Sequence, residues 1–199
     1  MAASRSLSSG DTDAAESQAR DRLREKPSDL AALRTLAGSL TAQGRFDDAA
    51  EVTSTWVQHT GRGRTARLDA LAAHVWALLC AVESNQLPLD RVEDEIAVTL
   101  QQAQRAASTG TVLSGAHALH HLVHGRLAEA VEHAREAIAW DRDQYTRADD
   151  LVTLAEALAG LGETDQSASA MQEAEQLWSG NPRLAGVRSN LEEMNVASS

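Results

Sequence analysis

The chain has 199 residues, enough for one domain or short repeat stack with a buried core, and Ala and Leu carry its apolar content while Phe and Tyr occur once each. Such a composition favours helix over sheet. A formal net charge of -11 repels phosphates and anionic head groups, which speaks against nucleic acid and membrane surfaces as partners.

Residues 1–10 are small and polar and are expected to be a disordered tail, with no basic start and apolar run of the secretory kind. A first helix is predicted from about Asp11 to the residues before Pro27. Ser28 is placed to cap the next, whose Leu30, Leu33, Leu36, Ala37 and Leu40 recur at helical spacing. Gly44 ends it, and Phe46, Ala49, Ala50, Val52, Thr53, Trp56 and Val57 mark a third helix. The stretch from Thr60 to Arg64 reads as a loop, with Arg62, Arg64 and Arg67 as a small solvated basic cluster.

A longer helix is predicted from Thr65 to Glu83, ended by Leu87-Pro88. It contains the lone cysteine, Cys80, in an apolar run where a packed thiol is expected. Asp90 with Glu93 reads as a capping box for the helix bearing Val92, Ile96, Leu100 and Ala103. After Gly110 come a helix to His124, a turn at Gly125 and a helix from Leu127 to Trp140. Thr146 is placed to cap a helix to Leu161; Gly162 turns it, and another helix runs towards Trp178. A last short helix follows Asn181-Pro182, and 195–199 is a tail. No segment reads as long and apolar enough to span a membrane. With a single cysteine no internal disulfide can form, and a cytoplasmic setting is expected. Lys26 is the only lysine among 18 basic residues, a bias that suits a GC-rich bacterial genome.

The array repeats. Leu33-x-x-Leu36-Ala37-x-x-Leu40-x-x-x-Gly44-x-Phe46-x-x-Ala49 parallels Leu151-x-x-Leu154-Ala155-x-x-Leu158-x-x-x-Gly162. Between them stand Ala118, Gly125, Leu127, Ala130, Ala134 and Ala137 at matching intervals. Gly125 and Gly162 are 162 − 125 = 37 apart, whereas Gly44 and Gly125 are 125 − 44 = 81 apart, leaving room for one elongated repeat between Thr65 and Ala107. From Leu30 to Trp178 the pattern resembles the tetratricopeptide repeat (TPR), a helix–turn–helix unit of about 34 residues. It departs from that pattern where Leu33, Ser114 and Leu151 replace the usual aromatic of the first helix. The resemblance implies an all-α fold of stacked antiparallel helical hairpins, a TPR-like superhelix forming a single domain over residues 11–194.

No phosphate-binding glycine loop, dinucleotide fingerprint, nucleophile elbow or His-Glu-x-x-His is present, so neither an enzyme nor a cofactor is expected. Acidic runs such as Asp47-Asp48 and Glu93-Asp94-Glu95 read as solvated helix faces. One segment stands apart: five of the seven histidines lie between His117 and His133. On a helix His117, His121 and His124 form one stripe, with His120 beside it, and two imidazoles one turn apart can chelate a transition metal. The competing reading is the polar face of an amphipathic helix whose other face is Val112, Ala116, Leu119, Leu122 and Val123. In the repeat register His117 and His121 fall where other repeats place leucine, so this helix is either rotated or carries imidazoles against its partner helix.

TPR proteins bind an extended peptide or a helix along the first helix of each pair. Carried over by register, that surface comprises Arg34, Asp69, Ala73, Trp76, Leu119, Val123, Val152 and Glu156. Only Arg34 among them is basic, so the carboxylate clamp of chaperone-binding members is not expected, and an apolar groove with acidic edges suits an aliphatic helix or a basic peptide. The function so implied is a protein- or peptide-binding scaffold, with self-association permitted. The alternative is a metal- or small-ligand-binding helical protein, enzymes included, using the His117, His121 and His124 stripe.

Overall fold

Where apolar residues recur three and four apart the chain winds into helix, and no strand occurs among the described residues. The structure, a computed structural model, describes residues 9–61, 63–107, 113–140 and 143–188. In order these form α1 (Ser9–Glu25), α2 (Leu30–Ala42), α3 (Phe46–His59), α4 (Arg64–Glu83), α5 (Leu89–Ala106), α6 (Ser114–Val123), α7 (Leu127–Ala139), α8 (Gln144–Gly160) and α9 (Thr164–Leu177). A further helix, α10, is described over 182–188. The expected tail at 195–199, most of the one at 1–10, and Arg62 and Val112 lie outside the described residues. The helices fall into two compact units, one carrying α1–α5 and the other α6 onward.

Within the first unit each helix packs on the next; in the second, α6 also touches α8. The hairpin turns explain the repeat. Gly44, Gly125 and Gly162 have φ of 72°, 69° and 80°, the left-handed conformation that closes the first helix of a pair. The elongated repeat uses Asn85 instead, at φ 57°; asparagine is among the few other residues that tolerate this region. The four turn residues are therefore 85 − 44 = 41, 125 − 85 = 40 and 162 − 125 = 37 apart.

Helix starts differ from expectation in three places, in two of them because a neighbouring residue is better placed. Asp29, not Ser28, caps α2, its Oδ1 accepting from the amides of Ala31 and Ala32 at 3.0 and 3.1 Å. Asp143, not Thr146, caps α8, accepting from Tyr145 and Thr146. At α5 the cap position is Pro88 and no side chain caps it, so Asp90 does not form the capping box. The start of α3 is capped from a distance: Gln86, in the α4–α5 turn, accepts from the amides of Phe46 and Asp47 and donates to the Gly44 carbonyl.

Small residues permit close approach, as the repeat requires. Ala37, Ala118 and Ala155 are 5%, 0% and 0% exposed. A Cβ on Gly115 of α6 would lie 2.2 Å from Oδ1 of the buried Asp150 on α8, and one on Gly160 would lie 2.7 Å from Leu127 Cδ1.

Two further expectations are revised. Arg64 is not a solvated loop residue: it opens α4 and donates from Nε and Nη2 to the carbonyls of Ala106 and Ala107, capping the end of α5. Helix α4, at 20 residues, is long and apolar enough to cross a membrane, contrary to the reading above. Half of that window is buried within the protein, and Ala70, Leu71, Val75 and Ala77 to Ala81 are its buried face, which is how a core helix meets the same criterion. Cys80 is buried, as expected.

Candidate interaction surface

Helix α4 follows an Ala-Leu pattern that buries most of its circumference, so whatever it leaves accessible is narrow. Asp69, Ala73 and Trp76 lie at i, i+4 and i+7 and so share a face. Asp69 is exposed, while Ala73 and Trp76 are half-buried. Ala73 packs against a small cluster of Leu33, Trp56 and Ala70. Leu33 of that cluster belongs to α2, and Arg34, the residue after it, is exposed. Four of the register-derived residues therefore fall on α2 and α4 of the first unit.

The other four divide differently. Leu119 and Val152 are both 0% exposed, so neither offers side-chain surface to a partner, and the expectation that they line an open groove is corrected. Val152 sits in the core cluster with Ala118, Leu151, Ala155 and Leu158. Val123 and Glu156 remain half-buried in the second unit.

The histidine stripe is also rearranged. His117 and His121 face His133 on α7, with ring centroids 5.6 and 5.1 Å apart, whereas His124 lies against His120 at 4.4 Å. The imidazoles thus stand against the partner helix, the second of the two arrangements that the register allowed. They are half-buried and do not form a solvated polar face. Among the described residues no group of three His, Cys, Asp or Glu side chains is arranged to hold a metal ion.

A hydroxyl–imidazole–carboxylate series does occur, and sequence reading missed it because its members are 21 residues apart. Thr53 Oγ1 is 3.0 Å from His74 Nδ1, and His74 Nε2 is 2.9 Å from Glu95 Oε1. The order is that of a nucleophilic triad. Yet Thr53 is 1% and His74 4% exposed, and the hydroxyl is also within 2.8 Å and 3.0 Å of the Ala49 and Ala50 carbonyls. No substrate atom can approach that oxygen. The series is a polar tie joining α3, α4 and α5.

No family model matches the sequence, and no curated protein matches it. Among solved structures the fold is similar to the crystal structure of TTC0263, a thermophilic TPR protein in Thermus thermophilus, with TM-score 0.61 and 21% identity over 94% of this chain and 92% of that one. At that identity the likeness speaks to fold. The helical pairs, their left-handed turn residues and this likeness together show that the chain has a TPR-like helical repeat fold.

Proposed function

We propose that this chain is a non-catalytic scaffold that binds a protein or peptide along the α4 stripe of Asp69, Ala73 and Trp76, with Arg34 of α2 at its side. The observation that carries the reading is the contrast along α4. A helix buried at Ala70, Leu71, Val75 and Ala77 to Ala81 keeps the Trp76 indole partly exposed on the face that also carries the exposed Asp69 carboxylate. An aromatic anchor with a charged edge is the usual composition of an interaction hot spot. The fold supports it, since TPR-like hairpins serve typically as protein-binding surfaces. The net charge of -11 favours a basic segment as occupant, and a cytoplasmic setting belongs to the same proposal.

Selection from a peptide library supplies the test. Trp76→Ala is expected to weaken selected peptides by at least about 1 kcal/mol, roughly fivefold, with helix content retained. Trp140→Ala, which truncates an indole that is 51% exposed at the end of α7, is expected to change nothing. Unchanged affinity in folded Trp76→Ala protein would place binding elsewhere.

A further inference from the structure

Five imidazoles run in unbroken contact along one helical hairpin. His117 meets His133, His133 stacks on His121 with the planes 5° apart, His121 meets His120 edge-on at 5.9 Å, and His120 meets His124. Each contact is between a ring and its neighbour at a distance where two positive charges repel strongly in a partly dehydrated setting. At His120 the hydrogen bonding favours a neutral ring. Arg126 Nη2 lies 3.4 Å from His120 Nδ1, and a guanidinium can only donate, so that nitrogen is the acceptor. Protonating it would turn this contact into a clash of two cations. The Nδ1 atom of His121 is buried with no hydrogen-bond partner, whereas His133, whose Nδ1 lies 3.5 Å from Glu136, has a carboxylate that favours its charged form.

We infer that the α6–α7 hairpin is an acid-sensitive element, held closed by neutral imidazoles and loosened when this histidine chain takes up protons. The charged groups around it are few. Glu136 on α7 lies 3.5 Å from His133 Nδ1 and accepts from Ser114 Oγ; Glu129 is also on α7, and Arg126 is in the turn. From α8, Asp150 stands at Gly115 and Glu156 is half-buried. These four carboxylates less one arginine leave 4 − 1 = 3 negative charges, fewer than five imidazolium groups would need.

Burial, then the positive charge of His124 and Arg126, pushes His120 down to about 4. Burial followed by His133 lowers His117 against the opposing pull of Glu136, and burial followed by Arg126 and His133 lowers His121. A histidine whose folded pKa lies below its unfolded value of about 6.5 contributes stability that is complete above that pH. It is lost as pH falls from 6.5 through the folded value, here towards 4. For His120 alone, discounted for its partial exposure, opening becomes on the order of tenfold easier at pH 5 than at pH 7.

Hydrogen exchange of the whole chain, corrected for the intrinsic pH dependence of the rate, reads this opening directly. The expected result is a gain of about tenfold in the opening equilibrium of α6 and α7 amides between pH 7 and pH 5, larger than that of α2 and α3. The combined change His120→Gln, His121→Leu and His133→Gln should abolish the difference, and His59→Gln, on the exposed end of α3, should preserve it. A second readout needs no variant: histidine ring resonances followed by NMR should show at least His117, His120 and His121 titrating below 6.5. Equal pH response in the two helix pairs, or all five rings titrating at or above 6.5, would overturn the inference.

Discussion

Arg183→Ala is expected to destabilise the second unit by about 3–5 kcal/mol, the range for removing one partner of a buried ionic network. The guanidinium is 2% exposed and donates to the Asp149 carbonyl at 3.0 Å and to Thr153 Oγ1 at 2.9 Å, with Asp149 Oδ1 3.8 Å away. Asn181 completes the arrangement: its Nδ2 donates to Asp149 Oδ1 at 2.9 Å, and its Oδ1 accepts from the Arg183 amide. This fastens the start of α10 to the middle of α8. Truncation would leave the Asp149 carboxylate and a carbonyl facing an unfilled hole. The contrast is Arg188, whose ion pair with Glu175 at 2.6 Å is about half exposed on both sides. Arg188→Ala should cost no more than about 1 kcal/mol. Urea denaturation of the two variants checks the difference; equal midpoints would mean that burial of Arg183 contributes nothing.

Leu119→Ala is expected to cost about 2–5 kcal/mol of stability, the range for deleting a buried leucine side chain. It separates two roles for one residue. As a groove residue Leu119 would lose affinity and keep its melting temperature. As a residue with no exposed surface it should lose stability, leaving α4-mediated affinity intact at temperatures where the variant is folded. Thermal denaturation alongside peptide binding distinguishes the outcomes.

Why Leu119 was misplaced shows what the sequence could and could not carry. Helical spacing and glycine turns are local, and the backbone honours them: Gly44, Gly125 and Gly162 all adopt the left-handed conformation that their place in the pattern demands. Asn85 does the same work without being glycine, so the second repeat was legible only as an interval of suitable length. Cap choice turned on one to three residues, as between Ser28 and Asp29, because adjacent polar side chains compete for the same amides. Surface membership is different in kind. Register says which face of a helix a residue occupies, but burial depends on what the other helices bring to that face. Hence Trp76 and Leu119, both assigned to a lining, end half-buried and fully buried. The same limit applied to Arg64, whose carbonyl partners are more than 40 residues away in the chain. For the histidines the misfit was visible in sequence, since imidazole stood at leucine positions. Only packing could show that His133 faces them.

The most direct test of the functional reading is amide shift mapping on isotope-labelled protein titrated with a library-selected peptide. The account predicts that the largest perturbations cluster at Asp69, Ala73 and Trp76 of α4 and at Arg34 of α2, and that they vanish in Trp76→Ala protein that retains its helix content. Perturbations confined to other helices, with α4 and α2 unmoved, would contradict it.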